Sequence, residues 1–588
     1  MTAPQAGVAV PPPGAAGAAA DRPGAWARFG PVLGILALGL FAYGNSLHAE
    51  FAFDDRYEIL ENRALRDLPA FLRTGLQAYP NRFVAYLTFA VNHRLGGFDP
   101  FGWHVTNLLV HLAASLLVYR LARLCFRAPL VAPSRLAASS RGVAFVAGAL
   151  FATHPLGTQA VTYVVQRLTS LAALLYLLAT VLYLSWRLAD PDRRARRWLL
   201  YGGVLVSALL AVKTKEIAFT LPAALALVEW ILFPRGGARR WLPIAPVAAI
   251  ALLIPIAWIE IRAGSGGASL AGALDTADRA TRLQTTASRM DYLRTQAAVV
   301  REYLRLLAWP TGQNLDHDFP VYGSWLAPRV LVSLGVLGSL LALAAWALHG
   351  TRPSRAGGPA RLDPAWRLVA LGIGWFFLAL TVESSVIPIV DVIYEHRAYL
   401  PSAGIFLAIA TVLGLGFQSL APASVPRLLA LAAVALGLLL GSLTLQRNAV
   451  WATPLTLWTD VVSKSPGKER PRQNLGETYD ALGRLPEAER EFRAAIAINP
   501  GSVAARTSLA IVLQKSGRPA EAEAEYREVI RLDPRRHAAM FNLADLLWRQ
   551  GRRDEAVDLY RRFLEVAPAR DAGPRSVADA RIRSVAGK

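Results

Sequence analysis

The sequence predicts an all-α protein in two parts, a polytopic membrane helix bundle of about eleven spans followed by an α-solenoid. Three observations carry that reading. The chain is 54% hydrophobic and 18% charged, with a mean hydropathy of +0.33, too apolar for a soluble protein of 588 residues. The apolar residues fall in blocks. A repeat with a period of 34 residues closes the chain.

The blocks are 31–47, 104–121, 142–153, 168–187, 198–211, 217–232, 242–261, 326–348, 366–389, 399–415 and 428–445. Several are shorter than the roughly 20 residues a perpendicular helix needs. No charged residue is read well within a span, which argues against an ion path and a transporter. The net charge of +21 does not point to nucleic acid, because much of the basic excess lies in short connections. Arg123, Arg127, Arg135 and Arg141 follow the second block; Arg187, Arg193, Arg194, Arg196 and Arg197 the fourth; Arg235, Arg239 and Arg240 the sixth; Arg352, Arg355, Arg361 and Arg367 the eighth. Every second connection is basic, as cytoplasmic loops are. With an odd count the amino terminus is expected inside and the carboxyl terminus outside. The Ala/Pro/Gly-rich residues 1–30 read as a disordered cytoplasmic tail without a cleavage site. The lone Cys125 excludes an intramolecular disulfide. Richness in Ala, Arg and Leu points to a prokaryote of high GC content, hence a bacterial inner membrane.

Pro466, Pro500, Pro534 and Pro568 recur at the 34-residue period, as do Leu475, Leu509 and Leu543; Gly483, Gly517 and Gly551; and Ala488, Ala522 and Ala556. This is a tetratricopeptide array. Gly turns the chain between two helices, Ala lets them approach, and Pro ends the second. Phe492, Tyr526 and Tyr560 follow each Ala by four residues, extending one apolar face. One period earlier, Pro454, Trp458 and Val462 form a half repeat, so the array covers 454–568, docks close over the bundle (31–447), and leaves 569–588 as a cap or tail. Its concave groove suits an extended peptide.

Two adjacent carboxylates, Asp54 and Asp55, stand in Phe51-Ala-Phe-Asp-Asp-Arg-Tyr57, just after the first block. Like charges that close resist joint ionisation, so one can be held as a base; alternatively Asp54 caps a short helix and Asp55 is solvated. The long outer loops are 48–103 and 262–322. Basic residues in the short outer loops (Arg167, Lys213, Lys215 and Arg397) run against the positive-inside bias, and Arg82 stands in the first long loop. An anionic ligand would explain them, with snorkelling or pairing to Glu216 or Glu395 as the alternative. Asp316-His-Asp318 offers three ligand types in a row, but an oxygen-ligand metal site needs more groups and a fixed cavity, so a polar loop surface is expected while a divalent metal stays open. His104, Asn107 and His111 share a helical face and read as packing polar groups.

Phe53-Asp-Asp55, Asn81-Arg-Phe through Asn92, Gly97-Phe-Asp-Pro-Phe-Gly-Trp-His104, Phe151-Ala-Thr-His-Pro155, Lys215-Glu216, Glu395-His-Arg-Ala-Tyr-Leu-Pro-Ser402 and Arg447-Asn-Ala-Val-Trp451, in this order before the repeats, resemble the transmembrane and tetratricopeptide-repeat-containing protein O-mannosyltransferases. The resemblance implies a GT-C-class bundle that takes a sugar from a polyprenyl-phosphate donor and places it on an extracytoplasmic protein acceptor held by the repeats. It implies Asp54 as catalytic base with Asp55 beside it. It also implies His154, Lys215, Glu216, Glu395 and Arg397 around the same cavity, the basic ones holding the donor phosphate; Arg82, Arg167, Lys213 and His396 are read with them as donor-binding. Phe83 stands where the family has proline, and His396 interrupts a hydrophobic stretch. A membrane-anchored scaffold for envelope assembly, or a transferase of whole lipid-linked glycans, are the competing readings.

Overall fold

Long apolar runs bounded by Pro, Gly and Arg form the helices of the bundle. The computed structural model describes residues 25–234, 236–252, 287–353, 360–385, 388–569 and 571–586, and among them there is no strand. Residues 1–24 of the expected tail, the second half of the block 242–261 and the start of the loop 262–322 lie outside the described residues, and residues 25–30, expected in the disordered tail, are the first turns of a helix. Helices α1 (Ala25–Tyr43), α2 (Leu68–Ala78), α3 (Phe83–Gly96), α4 (Pro100–Cys125), α5 (Ser140–Thr153), α6 (Arg167–Arg187), α7 (Arg194–Val212) and α8 (Leu221–Leu232) form the first half. After the undescribed stretch come α9 (Arg289–Ala308), α10 (Pro328–Gly350), α11 (Trp366–Leu380), α12 (Tyr399–Leu420) and α13 (Val425–Val450).

Eight described helical stretches are long and apolar enough to cross a membrane. They match eight of the expected blocks. The block 142–153 gains the turn before it, so that Arg135–Thr153 is continuous. The blocks 217–232 and 366–389 differ: the first is a 3-10 turn, Glu216–Thr220, leading into the 12-residue α8, and the second stops at Leu380. Pro222 and the polar stretch Thr381 to Ser385 interrupt what hydropathy alone reads as continuous.

Helix α5 is the hub, packing against α1, α4, α12 and α13. α11 and α12 cross so closely that a Cβ on Gly372 would meet the Gly404 carbonyl oxygen at 2.2 Å, an approach only glycine permits. The Arg-rich connections gather at one end of the bundle. The Ser134 hydroxyl donates to Asp363 (2.5 Å), the Leu130 N–H to the Leu232 carbonyl (3.2 Å), and Arg367 to the Ile231 carbonyl (3.0 Å).

The repeats follow as α14 (Pro454–Lys464), α15 (Glu469–Ala481), α16 (Leu485–Ile498), α17 (Val503–Lys515), α18 (Pro519–Leu532), α19 (His537–Arg549) and α20 (Arg553–Val566), closed by α21 (Ala572–Ala586). Gly483, Gly517 and Gly551 have φ of 72°, 73° and 81°, so the repeated glycine is the left-handed residue that ends each first helix. Ala488, Ala522 and Ala556 are fully buried at the crossings. Only residues 451–453 separate α13 from α14, and no loose linker intervenes. A shared core containing Ala52, Phe89, Trp103, Tyr163, Trp451, Trp458 and Leu475 joins the first loop, the bundle and the first repeat. The acid pair and the repeats therefore lie at the same end, opposite the Arg-rich connections.

Candidate functional site

The turn that presents the acid pair is strained. Phe53 has φ of 54°, a left-handed conformation disfavoured for a residue with a Cβ, and it is held by packing. Its ring meets Trp458 at 5.4 Å and Tyr163 at 6.4 Å, and the Arg470 guanidinium lies 5.6 Å from it. Asp55 is buried beneath this turn. Its carboxylate accepts the Ala52 N–H (3.1 Å) and the Val165 N–H (2.7 Å), tying the first loop to the segment before α6. Burial pushes its pKa up to about 7, against the two N–H donors that favour the charged form. Asp55 is thus neither solvated nor free for chemistry.

Asp54 is half-buried, and its N–H donates to the Tyr163 hydroxyl at 3.0 Å. No side chain caps the following turn, Arg56–Leu60, so the capping role weighed for Asp54 is not what the structure contains. Burial raises the Asp54 pKa; Tyr163 and Arg470 oppose the rise while Glu58 and Asp391 add to it. Asp54 is the acid with both a raised pKa and partial access.

A second cluster joins bundle to repeats across this turn. Arg470, at the start of α15, donates to Asp316 (2.7 Å) and in a fork to Asp391 (2.6 and 3.1 Å). Lys468 bonds Asp316 and lies 3.9 Å from Asp391, which also accepts from the Tyr394 hydroxyl (2.8 Å). Glu395, fully buried, accepts from the Asn314 N–H (2.6 Å) and the Gln313 amide (3.1 Å) and pairs with His317 (3.0 Å). Glu395 is therefore a strut for the loop 313–317, and the expected run Asp316-His-Asp318 gives Asp316 to Lys468 and Arg470 and His317 to Glu395. Among the described residues no three His, Cys, Asp or Glu side chains converge as metal ligands.

The basic residues divide. Lys215 pairs with Glu383 (2.8 Å) and donates to Thr169 (2.9 Å). Although burial pushes Glu383 up, Lys215, Arg397 and Arg82 together hold it below the usual carboxylate range, so three of the expected cations act on one acid, with Lys215 in contact. Arg82 also sits 3.5 Å from Glu216, and Arg397 donates to the Asp391 and Val392 carbonyls (2.9 and 3.2 Å). Lys213, bonded to the Pro80 carbonyl (3.1 Å), lies at the edge. His396 is buried against the Tyr394 ring, and its Nδ1 has no hydrogen-bond partner among the described residues.

Arg167 and His154 are set apart. Arg167 is wholly buried and donates to Asn107 (2.6 Å), Asn92 (2.5 Å), Thr88 (3.2 Å) and the Trp103 carbonyl (3.0 Å), pinning α3, α4 and α6 together. Both ring nitrogens of His154 bond backbone, the Leu307 carbonyl at 3.0 Å and the Leu156 N–H at 3.2 Å. With their polar atoms engaged internally, these two hold the bundle, and neither is available to a donor phosphate.

Sequence reasoning passed over Glu383, Asp391, Lys468 and Arg470. Glu383 had a signal: it is the one acid in the apolar block 366–389. On the other side of Phe53, a cleft of about 440 Å³ opens between residues 50–60 and α14–α15, walled by Phe51, Tyr57 and Trp458 with Asn474 and Glu477 on its repeat side.

Tetratricopeptide-repeat family profiles match residues 470–502 and 507–574. The chain is 26% identical over 527 residues to Protein O-mannosyl-transferase Tmtc3 of Drosophila melanogaster, covering 78% of this chain and 54% of that protein. It is 34% identical over 210 residues to Protein O-mannosyl-transferase Tmtc2 of the same organism, covering 33% of this chain and 21% of that one. The chain thus spans about half the length of the first relative and about a fifth of the second. Among solved structures, ArnT from Cupriavidus metallidurans bound to undecaprenyl phosphate aligns with a TM-score of 0.38 and 16% identity, over 85% of this chain and 80% of that one.

Proposed function

We propose that this chain, a multi-pass membrane relative of the TMTC protein O-mannosyl-transferases, is a glycosyltransferase that moves a sugar from a polyprenyl-phosphate donor to Ser or Thr of an extracytoplasmic protein. The observation that carries the reading is the pairing of two features at the repeat end of the bundle. A half-buried acid with a raised pKa, Asp54, stands on a strained turn. Lys215 pairs with Glu383, and Arg397 and Arg82 act electrostatically on the same acid.

In the proposed reaction the acceptor hydroxyl attacks the anomeric carbon while Asp54 takes its proton. The bond from that carbon to the lipid phosphate oxygen breaks, and the phosphate leaves with the electron pair, stabilised by Lys215 and Arg397. Asp55 fixes the turn that aims Asp54. Glu383 holds the cations in place before the donor arrives, and a phosphate can share or replace it as their counter-ion. The cleft beside Phe53 suits an extended acceptor segment, since it is bounded by the first repeat and lined by Phe53 and Arg56, which flank the acid pair in sequence. The gathering of the Arg-rich connections at the opposite end supports a cytoplasmic location for that end, with the repeats outside.

Mannose, from the relatives' name, is the first sugar to test. Glycoproteomics of envelope fractions from cells with and without the gene tests the proposal: loss of hexose from Ser/Thr of envelope proteins supports it, and an unchanged glycoproteome with altered lipid-linked glycans would move the acceptor from protein to lipid.

A further inference from the structure

The end of the bundle remote from Asp54 has a pocket that the proposed transfer does not use. It encloses about 280 Å³ and is lined by Arg120 near the end of α4, Arg127 in the turn after it, Arg193 just before α7 and Arg196 in its first turn, with Leu124 in its wall. For scale, a water molecule takes about 30 Å³ in the liquid. The only acid in the lining is Asp190, 4.0 Å from Arg193, and both groups are more than half exposed, at 56% and 66%. Four cations against one anion leave three positive charges (4 − 1 = 3) around the cavity. Among the described residues Arg120, Arg127 and Arg196 have no ion-pair partner. At the same end Glu229 pairs with Arg187.

The positive-inside bias accounts for arginine in these loops but not for its arrangement. Arg194 and Arg197 carry the same charge from the same turn and lie outside this pocket. The arginines that line it come from two segments far apart in sequence and turn toward a common space. α4 has 26 residues, about 39 Å at 1.5 Å per residue. Its first turns lie at the Asp54 end, where His104 bonds the Ala49 carbonyl at 2.9 Å. Its last turn therefore reaches the far boundary of a hydrocarbon core about 30 Å thick, the depth of lipid phosphates.

We propose that this pocket binds a phosphate ester, supplied by the head group of an anionic lipid in the leaflet facing the Arg-rich loops. Guanidinium forks suit phosphate oxygens, and a basic pocket between membrane helices is a form that recognises anionic head groups. The site lies a membrane's width from Asp54, so its lipid is not the transferred donor but a bound lipid that clamps α4 to the α6–α7 turn.

Native mass spectrometry of the full chain in neutral detergent, titrated with phosphatidylglycerol and with phosphatidylcholine, tests this, and thermal unfolding with inorganic phosphate tests the free anion. One phosphatidylglycerol should bind each chain in preference to phosphatidylcholine. In Arg120→Gln/Arg127→Gln its affinity should fall about tenfold or more, as expected when two charge-assisted hydrogen bonds are lost. Arg194→Gln/Arg197→Gln should keep it, and both variants should elute as the unmodified protein does. Stabilisation by inorganic phosphate that disappears in the first variant, without lipid preference, would assign the pocket to a soluble phosphate. Equal loss of lipid in both variants, or no binding of either probe, would overturn the site.

Discussion

Asp54 and Asp55 are neighbours with different work, and their surroundings decide it. A base must be ionised to act, and the burial that raises the Asp54 pKa moves the acid limb of kcat/KM above the ordinary carboxylate value of 3.8, with activity rising as pH rises through it. A pH profile with its limb at or below that value would remove Asp54 from this role. For Asp55 the raised folded value, about 7 against 3.8, means the folded protein binds the proton more tightly. Stability from this group is present below pH 3.8 and lost as pH rises through about 7. Asp55→Asn keeps one acceptor oxygen for two buried N–H donors, so it should cost about 1–3 kcal/mol and flatten that dependence, checked by thermal unfolding in detergent across pH. The sequence marks the pair but not this division, because the two carboxyls differ only in what is folded over them. Arg167 shows the same limit: its residue type suits a phosphate, while its partners Asn92, Asn107 and Thr88 come from segments well before it in the chain.

At the scale of elements, the repeats were the most legible part, since Gly483, Gly517 and Gly551 and the buried alanines are dictated by helix-pair geometry that recurs in sequence. The first repeat helix hid its other part. Arg470 sits in a polar run with nothing local to distinguish it, yet its partners Asp316 and Asp391 lie 154 and 79 residues away. It stacks on Phe53 and lowers the Asp54 pKa, so the array is wired into the site. Arg470→Gln should lower kcat and move the acid limb further up, because Glu58 and Asp391 then act on Asp54 unopposed by this cation. A lower kcat with an unmoved limb would reduce Arg470 to a structural tie. The Glu383 cluster was missed for a related reason: hydropathy continued α11 through 389, whereas the helix ends at Leu380.

For the whole molecule, membrane character and order of parts follow from composition and period, while the count of spans does not, because α8 and α11 are short and part of the chain after Leu252 lies outside the described residues. Contacts decide more than counting here: Arg470 against Phe53 puts repeats and acid pair together whatever the parity. A reporter active only outside the cytoplasm should work when fused after Lys588 and fail within residues 190–197; the reverse would place both acid pair and repeats inside. The account rests finally on transfer by the purified protein in proteoliposomes supplied with polyprenyl-phosphate mannose and a Ser/Thr-containing acceptor. Loss of general-base help costs about a hundred- to ten-thousand-fold in rate, so Asp54→Asn, folded and inserted as the unmodified protein is, should lose transfer by that factor. Transfer at the unmodified rate by Asp54→Asn would contradict the account.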